Sequence, residues 1–399
     1  MLFELFLALL IGILAGAFAG LAPGIHINLI GVSMASVLLF LGLQIEPIYL
    51  VVFIVSMAIC QTFVDFIPSI FLGAPEDGTE LSVLPGHQLL KKGLGYQAVA
   101  LACYGGIASI AVLMIFSIPL FFVNGDFLAG VYDKITNFIP GLLILSSFYL
   151  ISRERKKISA VLVFFLTGIL GLCVLNISWL NQPLLPLLTG LFGGSAMILS
   201  IKNKTRILPQ KISMPREKII RPLVGAVIAS PLCGFLPGLG GGQAAIIGNS
   251  ISKTNSRGFL ILVGATNTLV MGISFIALYL LSKTRTGAAV FIKEIVGVLS
   301  NELLFIILVV VLISGVISYF LTLKLAEIII LKIQKINYYF LNVFILVFLA
   351  ILIFFISGFF GLAVFIISTL TGIYAINSGV RRTNMMGCLI IPTIVLYLF

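Results

Sequence analysis

Residues 339–356 read YFLNVFILVFLAILIFFI, eighteen residues without a charged side chain. A run of this length and composition can cross the hydrocarbon core of a bilayer as one helix. Comparable runs recur along the chain, and the sequence predicts an all-α, polytopic transmembrane helix bundle. We expect about ten to thirteen spans, some interrupted by Gly and Pro, within 2–21, 27–43, 47–72, 96–123, 136–152, 158–178, 183–200, 221–250, 258–281, 301–323, 339–356, 358–378 and 385–398.

The overall composition excludes a soluble protein. Of the 399 residues, 60% are hydrophobic and 9% are charged, whereas soluble domains average about 45–50% apolar and about 25% charged residues. The formal net charge is +11, but the basic residues lie in short loops between apolar runs, as they do in cytoplasmic loops of membrane proteins. We therefore expect a multi-pass protein of the cell membrane, in contact with the lipid bilayer and not with nucleic acid.

The basic loops predict how the chain is threaded through the membrane. The longest polar segment lies near the midpoint, which divides the chain into a first transmembrane repeat (1–200), a basic cytoplasmic linker (201–220) and a second transmembrane repeat (221–399). The positive-inside rule also places four other basic loops in the cytoplasm. These are Lys91-Lys92, Arg153–Lys157, the loop with Lys324, Lys332 and Lys335, and Arg381-Arg382, whereas Asn181-Gln182 falls outside.

Three landmarks occur in the same order in both halves of the chain. Each half has a Gly-x-x-Pro-Gly element between apolar runs, then a polar pair midway along an apolar run, then a polar break. These are Gly20–Gly24, Gln61-Thr62 and Gly73–Glu80 in the first half, and Gly234–Gly238, Asn267-Thr268 and Ser282–Gly287 in the second.

The predicted orientation makes this duplication an inverted one. The segment after the first polar break ends at the inside loop Lys91-Lys92, whereas the segment after the second ends near Ser300–Glu302, outside if Lys324 is inside. Corresponding points then lie on opposite sides, an architecture common among transporters. Two unrelated Gly-Pro kinks are the alternative, but the recurrence of three landmarks in order favours two inverted-topology repeats.

The Gly-x-x-Pro-Gly elements are expected to break helices at membrane depth, because Pro lacks an N–H and Gly lacks a side chain. A helix that starts after such a break presents free N–H groups to an anion. Close helix packing is the alternative role of these glycines. The predicted substrate-binding residues are Pro23, Gly24, Asn28, Pro237, Gly238, Gly240, Gly241, Gln243, Asn267 and Thr268.

Acidic residues predict a site for a coupling ion. Asp65 is the best candidate for an acid within the membrane, where ionisable groups are costly and usually functional. Glu76 and Asp77 lie in the first polar break, which could equally be an ordinary aqueous loop. With Gln61, these residues form the predicted site for Na+ or H+.

Enzyme, cofactor and metal motifs are missing from the sequence. It contains no H-E-x-x-H, nucleophile elbow or P-loop, so ATP is not expected to be the direct energy source. The five cysteines show no C-x-x-C spacing, and we expect them to act as small buried hydrophobic residues. The histidines, His26 and His87, are far apart and predict no metal site. The sequence thus predicts a protein that is not an enzyme and has no cofactor.

Several short motifs resemble the large permease of tripartite tricarboxylate transporters, the TctA family. They are Gly73-Ala74-Pro75, Leu84-Pro85-Gly86-His87, Lys91-Lys92-Gly93 and Ala98, together with the two Gly-x-x-Pro-Gly elements. The resemblance implies an ion gradient as the driving force, and as partners a small membrane subunit and an extracytoplasmic binding protein. Glu76 stands where the family has Gly, and Pro85 where it has Asp, which indicates a divergent, archaeal-type branch.

The sequence therefore predicts a secondary transporter, or permease, of a small organic anion such as a di- or tricarboxylate. Its site is expected at the membrane midplane, where the broken helices meet. Three alternatives stay open, namely a translocase of a lipid-linked or amphiphilic substrate, an intramembrane enzyme and a purely structural subunit. A homo-oligomer is also left open.

Overall fold

The described part of the molecule is helical throughout. The computed structural model describes residues 2–22, 46–73, 75, 78–120, 139–152, 154–202, 208–235, 241–333 and 338–398. No strand occurs in these ranges, which confirms the all-α prediction. The helices are α1 Leu2–Leu21, α2 Pro47–Val64, α3 Phe66–Phe71, α4 Val83–Lys91, α5 Gly95–Leu120, α6 Ile139–Ser152, α7 Lys157–Leu175, α8 Leu184–Leu188, α9 Ser195–Lys202, α10 Ile220–Phe235, α11 Gly241–Ser252, α12 Ser256–Leu281, α13 Gly287–Val296, α14 Asn301–Ile333, α15 Tyr338–Asn377 and α16 Gly387–Leu398.

Helix length and composition confirm a polytopic membrane protein. Within the described ranges, seven helical segments are long and apolar enough to cross a bilayer, and three shorter apolar helices accompany them. Large apolar side chains are exposed on their outer faces, for example Phe344 and Phe355 on α15, as expected where lipid rather than water is the solvent. The seven long segments are Leu2–Leu21, Pro47–Phe71, Gly95–Pro119, Lys157–Leu175, Ser256–Leu281, Asn301–Lys332 and Asn342–Asn377.

Two predictions need correction, namely the end of the span predicted at 301–323 and the burial of Cys173. The predicted span 301–323 continues as α14 to Ile333, so Lys324 and Lys332 lie on a helix rather than in a loop. The helix propensity of the sequence continues past the apolar segment, because Lys, Glu and Leu favour helix in water as in lipid. Cys173 is exposed, whereas the other four cysteines are buried as expected.

Helix α15 contains the predicted boundary between two spans. It is 40 residues long, and Gly358 within it is not helical, with φ 68° and ψ −166°. This region of backbone conformation is open to glycine almost alone. Beside it, the Ser357 hydroxyl donates to the carbonyl oxygen of Asn181 at 2.7 Å. The Gly358 break thus lies with the Asn181-Gln182 tip that the sequence places outside.

The helices form two compact units, and each unit draws segments from both halves of the sequence. The first contains Met1–Ile67, Val99–Asp133 and Pro215–Ala326, and the second contains Pro68–Ala98, Lys134–Met214 and Glu327–Phe399. Compactness groups residues by spatial proximity rather than by ancestry, so this division does not test the predicted boundaries at 200 and 221, which stay predictions.

In the first unit, a stripe of glycines lets α1 pack closely against α2. A methyl group at Gly12 would overlap Ser56 and the Phe53 carbonyl, and one at Gly16 would overlap the Met57 carbonyl. Four-residue spacing places these glycines on one face of the helix, as the small-xxx-small pattern predicts. The packing role of this stripe is therefore confirmed in its described part.

In the second unit, a π-helix interrupts the helical run between α8 and α9. It spans Thr189–Gly194, and its glycines face neighbouring backbone. Gly190 lies against the Phe365 carbonyl of α15, and Gly193 lies against the Gly73 carbonyl of the first polar break. Short π-helical segments are frequent at functional sites.

The second unit also joins loops that the sequence assigns to the same side of the membrane. Residues 208–214 of the basic linker have no regular secondary structure, and the Lys211 N–H donates to the Gly93 carbonyl at 2.8 Å. The buried carboxylate of Glu154 accepts a hydrogen bond from the Asn384 amide at 3.0 Å and lies 3.7 Å from Arg381 Nε. Both contacts connect loops that the positive-inside rule places in the cytoplasm.

Candidate functional site

The two mid-helix polar pairs meet in the first unit, between α2 and α12. The hydroxyls of Thr62 and Thr268 lie 3.2 Å apart, and the Asn267 side-chain amide donates to the Thr62 carbonyl oxygen at 3.2 Å. The Thr62 hydroxyl also donates to the Ile59 carbonyl at 2.8 Å. A hydroxyl has one proton, so Thr268 is the donor in the pair. The structure thus brings together equivalent landmarks of the two halves.

Glycines at the crossing of α5 and α12 bring a third helix against this contact. A methyl group at Gly105 would overlap the Ile261 carbonyl, and one at Gly264 would overlap the Ala102 carbonyl. One residue along α5, a methyl at Gly106 would lie 3.1 Å from the Thr268 hydroxyl. The backbone of α5 therefore approaches the Thr62–Thr268 pair without an intervening side chain.

Asp65 lies where α2 ends and where α1 ends. Its side chain is only 5% exposed, and its Oδ1 lies 3.0 Å from the position that a Cβ of Gly20 would take. One turn earlier on α2, Gln61 is equally buried, and its Oε1 accepts no hydrogen bond from the described residues. Helix α1 ends at Leu21, the second residue of the first Gly-x-x-Pro-Gly element. This place thus combines oxygens of three kinds, from a carboxylate, an amide and the carbonyls at a helix end. Such oxygens are suitable ligands for a cation.

The second Gly-Pro element has a cation beside it instead. Helix α10 is described as far as Phe235, and the half-buried Arg285 reaches its last described turn. Its Nη2 donates to the Cys233 carbonyl at 2.8 Å, and its Nε donates to the Gly234 carbonyl at 3.3 Å. The sequence placed Arg285 in the second polar break and did not predict this contact.

The remaining predicted substrate residues divide into two groups. Gly241 and Gln243 lie on α11, which is described from Gly241 onward, and Gln243 is buried. Pro23, Gly24, Asn28, Pro237, Gly238 and Gly240 lie outside the described residues, as do Glu76 and Asp77 of the predicted ion site.

Asn249, near the end of α11, is another polar residue that follows the second Gly-Pro element. Its side-chain oxygen accepts hydrogen bonds from the backbone N–H of Thr254, at 3.1 Å, and from the hydroxyl of Thr254, at 2.7 Å. Asn249 therefore stabilises the turn after α11. The sequence could not show this, because an Asn near a helix end serves a turn or a ligand equally well.

Glu80 is a candidate that sequence reasoning missed. It is 1% exposed, the most buried acid among the described residues, and lies in the second unit just after the first polar break. Nearby, the Ser69 and Thr79 hydroxyls are 2.7 Å apart. The turn at Gly73, with φ +66°, lies against the His87 ring. The first polar break is therefore a packed, buried element rather than an open aqueous loop in its described part.

Comparison with known proteins agrees with this architecture. The model of the tripartite tricarboxylate transporter TctA family matches residues 6–387. A protein of Methanocaldococcus jannaschii, described as uncharacterized protein MJ1079, is 32% identical over 401 residues and is covered to 98%, as is the present chain. No solved structure matches the chain. A match over nearly the full length, on a fold of broken membrane helices, leads to one conclusion: the chain belongs to the tripartite tricarboxylate transporter TctA family.

Proposed function

We propose that the chain is the membrane permease of a secondary transporter for small organic anions of the di- or tricarboxylate class. A Na+ or H+ gradient across the cell membrane drives the transport. The proposal rests on one observation above all, the contact of Thr62 with Asn267 and Thr268 at the centre of two buried helices that occupy equivalent places in the two halves. Secondary transporters typically bind their substrates at such a repeat interface near the midplane.

The substrate carboxylates bind, in this proposal, to groups around the two Gly-Pro elements. Free N–H groups at the start of α11 suit an anion, because they carry the positive end of the helix dipole. Gln243 and Asn267 supply further amide donors beside Thr268. Pro23, Gly24, Asn28, Pro237, Gly238 and Gly240 belong to the proposed site from the sequence alone. A small membrane subunit and an extracytoplasmic binding protein deliver the substrate, as the tripartite family implies.

The coupling cation binds at the end of α1, in this proposal. Asp65 and Gln61 contribute side-chain oxygens, and the last turn of α1 contributes the negative end of a helix dipole. Glu76 and Asp77 are the alternative pair of acids that the sequence offers for the cation. A cation is attracted to this place because several buried oxygens with negative partial charge lie close together, and a positive charge lowers their mutual repulsion.

Two measurements on purified protein test the function. The first is the melting temperature in detergent with di- and tricarboxylates, each with and without Na+. A ligand at 100 times its Kd stabilises the folded state by about 2.7 kcal/mol. The second is uptake of the stabilising carboxylate into liposomes under an imposed Na+ or pH gradient. We expect stabilisation by one carboxylate class and uptake that needs the cation gradient.

Asp65→Asn separates the ion site from a general loss of folding. We expect this variant to insert and purify normally and to lose the cation dependence of both stabilisation and uptake. Glu302→Gln is the control, because Glu302 is an exposed acid at the start of α14, and it should behave like the parent protein. Unchanged cation dependence in Asp65→Asn would remove Asp65 from the site, and gradient-independent movement of amphiphilic substrates would favour a lipid-type translocase instead.

A further inference from the structure

The two helices at the Gly-Pro elements can be aligned through their glycines. Helix α1 ends at Leu21, one residue after Gly20, and α10 is described as far as Phe235, one residue after Gly234. The two glycines are the first residues of the matched Gly-x-x-Pro-Gly elements. The two termini can therefore be compared position by position.

Charges of opposite sign lie at these equivalent termini. The carboxylate of Asp65 lies beside Gly20, whereas the guanidinium of Arg285 donates to the carbonyls of Cys233 and Gly234. A helix C-terminus carries about half a unit of negative charge. Arg285 compensates that charge at α10, whereas Asp65 adds to it at α1.

The loop that carries Arg285 is held at both ends. At its start, Ser282 has a left-handed conformation, with φ 52°, and its carbonyl accepts a hydrogen bond from Lys293 Nζ at 2.7 Å. At its end, the Thr286 hydroxyl lies 2.9 Å from that of Ser274 on α12 and accepts from the Ala289 N–H as the N-cap of α13. The position of the guanidinium is thus set by α12 and α13 rather than by a flexible loop.

We propose that Arg285 is a built-in cation that takes, at the α10 terminus, the place that the mobile coupling cation takes at the α1 terminus. This inference rests on the proposed function, because it assumes that a cation binds near Asp65. Both termini then have a positive charge beside carbonyl oxygens at the end of a helix, where the helix dipole favours one. At the α10 terminus the cation is the Arg285 side chain itself. Transport therefore depends on a soluble cation only at the α1 terminus, in the first half.

Replacing Arg285 should expose a second cation requirement. In Arg285→Ala, we expect a lower melting temperature, because the carbonyl oxygens of Cys233 and Gly234 lose their donor. Millimolar methylguanidinium should restore the loss, because it supplies the same donors in the space left by the side chain. Arg285→Lys keeps the charge without the planar fork and should retain most of the stability without any added cation.

Lys156→Ala is the matched control. It removes a cation that also donates to a carbonyl at the end of a helix, that of Ser378, but this contact is exposed. We expect little change in melting temperature and no response to methylguanidinium, since water can replace the lysine. A response equal to that of Arg285→Ala would overturn the proposal.

The outcomes also distinguish this inference from the proposed function. If Arg285→Ala is not restored by methylguanidinium, but loses stabilisation by carboxylates, then Arg285 binds the substrate and the proposal is wrong. If restoration is seen in a protein that shows no cation-dependent stabilisation through Asp65, the capping by Arg285 stands as a structural fact, and its equivalence to a coupling ion is overturned. Restoration together with an Asp65-dependent cation effect supports both.

Discussion

Thr62, Asn267 and Thr268 show how few polar groups join the two halves at their centre. The pair of hydroxyls and the amide that donates to the Thr62 carbonyl lie among apolar side chains. Interhelical hydrogen bonds of this kind contribute about 0.6 kcal/mol on average and up to about 1.7 kcal/mol in membrane proteins. Their value lies in fixing which faces of α2 and α12 meet.

Thr268→Val tests this contact, because valine keeps the shape of threonine and removes its hydroxyl. We expect a loss of unfolding free energy of about 0.6–1.7 kcal/mol and a larger proportional loss of carboxylate uptake, measured by thermal unfolding and liposome assays. Thr371→Val is the control, since its exposed hydroxyl donates only to Ile367 within its own helix. Equal effects of the two substitutions would contradict a special role of Thr268.

Sequence reasoning found some of these residues and missed others for a physical reason. Gln61-Thr62 and Asn267-Thr268 were visible because polar residues are rare in the middle of long apolar runs. Arg285 and Glu80 were not singled out, because a charge near the end of an apolar run usually reaches water. Only the packed structure shows that Glu80 is buried and that Arg285 bonds to a helix terminus.

At the scale of elements, glycine positions decide how closely the helices approach. The regular stripe on α1 could be predicted, because four-residue spacing is a pattern in itself. Gly105 and Gly264 are just as tightly packed, but each faces a carbonyl on another helix, and a single glycine in an apolar run carries no sign of its partner. Helix positions were therefore predicted well from the sequence, and helix pairings were not.

Gly105→Ala should separate α5 from α12. The added methyl group meets the Ile261 carbonyl, which is backbone and cannot rotate away. Such overpacking costs about 1–3 kcal/mol, and we expect a lower melting temperature and less monodisperse protein. Gly141→Ala is the control, because nothing lies within 4 Å of a methyl group at that helical position. It should leave stability unchanged or raise it by up to ~1 kcal/mol, and a greater loss there than at Gly105 would contradict the packing argument.

At the scale of the whole molecule, element order follows the predicted duplication. A long helix, a polar break, a short helix and a second long helix follow one another as α2, α4 and α5, and again as α12, α13 and α14. The opposite orientation of the two sets comes from loop charges alone. It is a property of the protein in its membrane, and it stays a prediction.

Labelling from one side of the membrane tests that orientation. Lys92 follows α4 and Val298 follows α13, so the two positions are equivalent in the two halves, and both are exposed. In a variant without native cysteines, we expect Lys92→Cys to react with an impermeant thiol reagent only from the cytoplasmic side. Val298→Cys should react only from outside, and reaction of both positions from the same side would rule out inverted repeats.

The break at Gly358 bears on the number of membrane crossings, which a count of apolar residues does not give. Forty helical residues would extend about 60 Å, twice the hydrocarbon thickness, if α15 were straight. With the helix broken at Gly358, we expect the same residues to cross twice, so a single position decides whether the number of crossings is odd or even. An even number of crossings returns the chain to the side from which it came, where Arg381 and Asn384 contact Glu154. One glycine thus determines on which face of the membrane the last helix begins.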